Sequence, residues 1–160
     1  LNRDNCVIIP ETEIMYRHVL QRHPKNPDKL RQKKSKCIDY IIYDQNDGVK
    51  WGVETKRVFV DYADYAKRYW EWDGVMRCVK KAVEGIKEAK QQVYRDTDWN
   101  KSVLHLLIGD SRIFEMCCTQ PDDIKKICKD VCDYVIVSFV LQKKYMFFRS
   151  HTVRPECEEL

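Results

Sequence analysis

The sequence predicts an α/β domain, a mixed β-sheet flanked by helices, and three observations carry that reading. Residues 37–60 are rich in β-branched and aromatic residues on both sides of Asn46-Asp47-Gly48, the composition of a β-hairpin with a tight turn. In residues 74–94, Val75, Val79, Ala82, Val83, Ile86, Ala89 and Val93 recur at helical spacing and make one apolar stripe. Residues 103–108, Val-Leu-His-Leu-Leu-Ile, form an unbroken apolar run, as expected of a strand buried on both faces.

The remaining elements follow in chain order. Residues 11–22 read as a first helix, with Pro10 and Glu11 suited to its first turn. Ile14, Met15, His18, Val19 and Gln21 follow helical spacing loosely, and Pro24 and Pro27 end the pattern. Residues 24–36 form a basic connection with room for a short strand. Within the hairpin, Cys37-Ile38-Asp39-Tyr40-Ile41-Ile42-Tyr43 is the outgoing strand and residues 49–60 return. Asp73 is the expected N-cap of the helix over 74–94. Gly109 and Asp110 close the 103–108 strand, and Pro121, Asp122 and Asp123 open a further helix to about Cys132. Residues 134–141 read as a buried strand, with 145–149 beside it as an edge strand. Helices are expected on both faces of the sheet.

Composition narrows the class. The chain of 160 residues fits one domain, 1–160. Hydrophobic residues at 44% and charged residues at 34% suit a soluble globular protein. No apolar run reaches the ~18 residues of a membrane span, so no membrane partner is expected. Residues 1–10 lack the basic start and apolar middle of a signal peptide, which favours an intracellular location, cytoplasm or nucleus. The chain starts on Leu1 rather than Met, so a fragment of a larger polypeptide is one reading, and a homodimer is another open arrangement. Eight cysteines sit mostly inside apolar patterns, where a free thiol behaves as a small hydrophobe. Cys117, Cys118, Cys128 and Cys132 lack the paired CxxC knuckles of a zinc site.

The net charge of +4 is unevenly spread. Arg22, Lys25, Lys29, Arg31, Lys33, Lys34 and Lys36 stand against one acid, Asp28. Such a block suits a phosphate backbone, and equally a solvated loop.

The chemistry lies in the hairpin. Glu54 and Lys56 are two apart on one strand and share a face. With Asp47 and Gly48 as the central turn residues, Asp39 faces Lys56; with Asn46 and Asp47 central, Asp39 faces Glu54. Either register puts Asp39, Glu54 and Lys56 on the same face. Two carboxylates that close repel unless a cation sits between them. A divalent ion lowers the pKa of its bound water and neutralises charge on a phosphate, and a lysine beside it orients the water or stabilises the transition state. An exposed salt-bridge ladder is the structural alternative.

Ile38-Asp39, a hairpin and then Glu54-Thr55-Lys56 resemble the PD-(D/E)xK nucleases, which include Holliday-junction resolvases, restriction endonucleases, recombination exonucleases and viral cap-snatching endonucleases. Ile38 replaces the motif's proline, as in many members, and the strand that precedes the aspartate in that family is not evident here. The resemblance spans residues 11–140 in element order and rests on three motif residues. It implies a restriction-endonuclease-like αβββαβ core in a single nuclease-like domain. It also implies a Mg²⁺- or Mn²⁺-dependent endonuclease, with Asp39 and Glu54 as metal ligands and Lys56 positioning the attacking water. DNA is the favoured substrate, because most of the superfamily cuts DNA.

The resemblance extends the candidate site. Members often place a further metal-binding glutamate on the first helix, for which Glu11 and Glu13 are candidates. Cap-snatching enzymes carry a metal-binding histidine on an early helix, a role open to His18, and such a ligand would turn the substrate toward RNA. Gln91 and Tyr94 only loosely resemble the QxxxY element of recombination exonucleases. Lys33, Lys34 and Lys36, with Arg57 and Arg68, are candidate phosphate contacts. Tyr62, Tyr65 and Tyr69 would line one face of a short helix and stack bases. A nuclease fold that binds nucleic acid or serves in assembly without turnover is the alternative function.

Overall fold

The computed structural model describes residues 5–17, 19–23, 25–33, 36–58, 72–150 and 156–159. The strands are β1 (Cys6–Pro10), β2 (Val19–His23), β3 (Asn26–Lys33), β4 (Tyr40–Asp44), β5 (Lys50–Val58), β6 (Lys101–Ile108), β7 (Tyr134–Phe139), β8 (Lys144–Arg149) and β9 (Glu156–Glu159). The helices are α1 (Trp72–Gln92), α2 (Ser111–Thr119) and α3 (Pro121–Cys128). Seven strands form a mixed sheet in the order β1-β4-β5-β6-β7-β8-β9, while β2 and β3 pair apart from it. The class is α/β, as expected.

The central hairpin forms from β4 and β5, antiparallel, with Tyr40 opposite Val53 and Tyr43 opposite Lys50. Its connection is looser than the expected two-residue turn. The Asp44 amide donates to the Val49 carbonyl at 2.9 Å and the Gly48 amide to the Asp44 carbonyl at 2.9 Å, leaving residues 45–48 as the loop. Gly48 has φ +73°, a conformation that a side chain disfavours. The resulting register is the one that brings Asp39 toward Glu54.

Three sequence expectations need correction at the N-terminus. Residues 11–22 are not a helix: a single 3₁₀ turn, Glu11–Glu13, is followed after a short extended stretch by strand β2. The basic connection holds an eight-residue strand, β3, that pairs with β2 as a hairpin arm. The missing strand before Asp39 is β1, antiparallel to β4 with Ile9 opposite Ile41. Its Cys-Val-Ile-Ile run is β-branched, but the strand is largely exposed.

Strands β5, β6 and β7 run parallel, joined by α1 and then by α2 and α3. Parallel crossovers are right-handed almost without exception. Two such crossovers stepping the same way along a sheet must lie on the same face. That is the outcome here, and it corrects the expected two-faced covering: among the described residues all three helices share one core. Val75, Val79, Ala82 and Ile86 of α1, Ile113 of α2 and Ile124 of α3 pack with Ile41, Leu104, Leu106, Ile108, Val135 and Val137 from one side of the strands. On the other side His105 and Leu107 are half-buried, so β6 is not sealed on both faces.

Helix α1 carries the predicted apolar stripe, buried at Val75, Val79, Ala82, Val83, Ile86 and Ala89. Asp73 lies inside its first turn rather than at its N-cap. Helix α2 was not expected; Asp110 caps it by accepting from the amides of Arg112 at 2.9 Å and Ile113 at 3.3 Å. Helix α3 starts at Pro121 as predicted and stops at Cys128, short of Cys132. Strand β7 ends at Phe139, and β8 is not an edge because β9 pairs with it. Cys6, Cys37, Cys78, Cys117, Cys118, Cys128 and Cys132 form no disulfide, and Cys117, Cys128 and Cys132 are core residues. The thiols of Cys128 and Cys132 share a hydrogen bond, which with burial raises the Cys132 pKa.

Trp99 clamps the far end of the helix-covered face. Its ring lies flat over Gly52, where an added Cβ would stand 2.5 Å from the ring carbons. Its Nε1 donates to Ser102 Oγ at 2.9 Å, and Lys90 Nζ sits 4.8 Å above the ring. Among the described residues no helix is long and apolar enough to cross a membrane.

Candidate active site

Strand alternation puts Gly52, Glu54, Lys56 and Val58 on the helix-covered face of β5. Gly52 and Val58 belong to the sealed part of that face, while Glu54 and Lys56 are half-buried between them. In the neighbouring strand they sit beside Leu104 and Leu106, both fully buried. A carboxylate in this position has water on one side only.

Asp39 stands at the start of β4. Regular pairing stops at Tyr40 opposite Val53. Beyond it the Asp39 amide donates to the Val53 carbonyl at 3.0 Å, out of step with the ladder, as in a β-bulge that re-aims a side chain. The Asp39 side chain is then held across the strands: Oδ2 accepts from the Thr55 amide at 2.6 Å. That bond fixes the carboxylate beside the residue lying between Glu54 and Lys56.

Glu11 also reaches this place, though not from a helix. Its amide donates to the Asp39 carbonyl at 3.0 Å, so the 3₁₀ turn is moored to the start of β4. Glu54 registers the whole group. Its pKa is pushed up from 4.5 to about 7, first by burial, then by the negative charge of Asp39. Lys56 and Lys36 pull it down, and Glu11 pushes it up. Glu11, Lys36, Asp39, Glu54 and Lys56 therefore share one electrostatic neighbourhood.

Tyr16 is the residue that sequence reasoning missed. Its hydroxyl accepts from the Ile38 amide at 3.1 Å, one residue before Asp39. Burial raises the phenol to about 12, against the lowering effect of that amide, with Cys37, Glu11 and Glu54 adding to the rise. Nothing in its spacing marks it, because the segment reads as a helix. In the structure residues 15–17 run instead along the end of α1: the Tyr94 amide donates to the Met15 carbonyl at 2.8 Å and the Arg17 amide to the Gln92 carbonyl at 2.6 Å.

The other candidates divide. Glu13 is exposed on the 3₁₀ turn. Arg57 is exposed and, one residue from Lys56, points to the opposite face, away from the acids. Gln91 is exposed, whereas Gln92 is buried with its Oε1 unpaired among the described residues. His18, Lys34, Tyr62, Tyr65, Arg68 and Tyr69 lie outside the described residues, as does the side chain of Lys33. In sequence the arm formed by β2 and β3 falls between Tyr16 and Asp39. Residues 25–30 of the arm, with Lys25 and Lys29, are exposed.

The donor set suits a hard divalent ion. Mg²⁺ commonly takes one or two protein carboxylates and fills its remaining positions with water and substrate oxygens. Asp39 and Glu54 supply that number, and the Glu54 pKa is raised first by burial and then by the charge of Asp39. Among the described residues no group of three or more His, Cys, Asp or Glu is arranged to hold a metal ion. No family model, curated protein or solved structure matches the chain.

Proposed function

We propose that the chain is a Mg²⁺- or Mn²⁺-dependent nuclease of the PD-(D/E)xK kind, hydrolysing phosphodiester bonds in nucleic acid, with DNA favoured. The observation that carries the reading is the half-buried Glu54, its carboxyl pushed up to about 7 beside Asp39, with Lys56 on the same face. Lys56 and Lys36 lower the Glu54 pKa, as in a salt-bridge ladder, but burial first and then Asp39 outweigh them. An antiparallel β1-β4-β5 meander, then helix α1, then the parallel strand β6 support a restriction-endonuclease-like core, against the lack of a helix over 11–22 and the β2–β3 arm inserted between β1 and β4.

Asp39 and Glu54 would hold the ion, which when bound lowers the pKa of its water and neutralises charge on the scissile phosphate. Thr55, through its backbone amide, keeps the Asp39 carboxylate in place. Lys56 sets an ammonium against the developing negative charge and orients the attacking water. Tyr16, protonated at neutral pH, steadies the chain entering Asp39 through the Ile38 amide. The basic arm, between Tyr16 and Asp39 in sequence, would grip the phosphate backbone.

The test is cleavage of plasmid DNA and single-stranded RNA with Mn²⁺ and with EDTA, alongside Glu54→Gln. Mn²⁺-dependent cleavage of plasmid that Glu54→Gln loses supports the assignment, and cleavage of RNA alone would move the substrate. Tight nucleic-acid binding with no cleavage in Mn²⁺ would replace the enzyme with an inactive binding module.

A further inference from the structure

The face of the sheet opposite the acids carries a second site. Because both crossovers lie on the other side, among the described residues no helix lies above the reverse-facing residues of β4 to β8. They enclose a cavity of about 300 Å³. Val53 and Val103 lie buried among its lining, and Tyr40, Trp51, Tyr134 and Phe147 supply aromatic rings. Tyr134 and Phe147 stack at 5.1 Å with a 16° tilt, and Trp51 meets Tyr134 at 5.2 Å and 56°.

Three polar groups interrupt this apolar lining. His105 holds Ser138 Oγ at 2.8 Å through Nε2, and burial lowers its pKa, so the ring is neutral at pH 7. The Arg149 guanidinium lies 5.7 Å from the centre of the Tyr134 ring. The indole Nε1 of Trp51 is sealed from water and has no hydrogen-bond partner among the described residues. An indole N–H can only donate. Left unpaired and dry, such a donor weakens the fold, and a ligand that brings an acceptor removes that penalty.

We propose that this cavity binds a nucleotide, with its base among the rings, an acceptor on the base edge taking the Trp51 N–H, and its phosphate toward Arg149. Every nucleobase has a flat π-face for stacking and acceptors on its edge. The cavity is at the lower end of the size range of small-ligand pockets, which suits one base rather than an extended chain. The inference does not rest on the nuclease reading, since none of its residues is among the acids.

Titration calorimetry of the full chain with AMP, in EDTA, tests it. Ribose 5-phosphate serves as the anion without a base, and a short single-stranded oligonucleotide separates a strand-borne nucleotide from a free one. AMP should bind and ribose 5-phosphate should not. Trp51→Phe keeps the ring and removes the donor, and should weaken AMP by about fivefold to tenfold, the loss of one hydrogen bond. AMP should also shift the NMR signal of the His105 ring in the unaltered chain. Absence of AMP binding, equal binding of ribose 5-phosphate, or an unmoved His105 signal would overturn the proposal. Oligonucleotide binding that Trp51→Phe leaves untouched would assign that strand to the opposite face.

Discussion

Glu54→Gln removes a charge that the fold resists and that the proposed metal site would require, so on that proposal its effect should change sign with Mn²⁺. The Glu54 carboxyl titrates at about 7 in the folded chain, against 4.5 as a free side chain. A carboxyl raised in this way destabilises the fold when ionised. The penalty is absent below about pH 4.5, grows as pH rises to 7, and is complete above it. Taken at face value the rise corresponds to ~3 kcal/mol. Glu54 is only half-buried, and solvent screening reduces this to about 1–2 kcal/mol. For a chain of this size each kcal/mol moves Tm by about 2–4 °C. In EDTA at pH 8, Glu54→Gln should therefore melt roughly 2–8 °C above the wild type, and the two curves should converge near pH 4.5. Mn²⁺ at a hundred times its Kd should then stabilise the wild type by ~2.7 kcal/mol and the variant far less, reversing the order. Thermal melting by circular dichroism between pH 4.5 and 8.5, with and without Mn²⁺, reads all of this. A wild type that is the more stable of the two in EDTA at pH 8 would mean that Glu54 is a paired structural carboxylate, and the site would be lost with it.

Lys56→Ala should keep Mn²⁺ binding, because both carboxylates remain, and lose turnover by ~100-fold or more; loss of metal binding would make Lys56 structural. Tyr16→Phe removes the hydroxyl that accepts the Ile38 amide and should lower kcat by ~10-fold with little change in KM, read in steady-state kinetics. Neutralising Lys33, Lys34 and Lys36 together should reduce the slope of log K against log salt by about 0.9 per lost contact on duplex DNA; an unchanged slope would leave the arm solvated. Gly52→Ala forces a Cβ to 2.5 Å from the Trp99 ring and should cost about 1–3 kcal/mol in chemical denaturation.

What could be read from the sequence was whatever its periodicity encodes locally. The α1 stripe emerged because one face of a long helix meets a deep core, and the β4–β5 hairpin because its two apolar runs flank Asn-Asp-Gly. Asp39, Glu54 and Lys56 could be placed on one face before the register was known, since strand parity was the same for both alternatives. The N-terminal third was not legible. Strand β1 lies at the sheet edge with Ile8 67% exposed, so it lacks a buried-face pattern. The β2–β3 arm pairs only with itself, and its polar sequence carries no period strong enough to exclude a helix. Tyr16 entered the site by a tertiary hydrogen bond, which leaves no trace in spacing. Helix α2 was overlooked because Gly109-Asp110 reads as a stop, although Asp110 is at once the end of a strand connection and a helix cap.

The one-sided placement of the helices is a topological fact, set by strand order and crossover handedness rather than by any local pattern. It has a chemical consequence for each face of the same strands. On the covered face the apolar layer narrows toward the start of β4, where Glu54 and Lys56 meet water, so burial is deep enough to raise the carboxyl and open enough to admit a solvated ion. On the other face, among the described residues, no helix covers Tyr40, Trp51, Tyr134 and Phe147, and the rings line a cavity. Residues one position apart in β5 serve the two sites: Val53 lines the cavity while Glu54 faces the acids. A change in strand twist that opened one face would therefore displace the other, which makes Val53 and Glu54 the positions at which any coupling between nucleotide binding and the acid site would be felt.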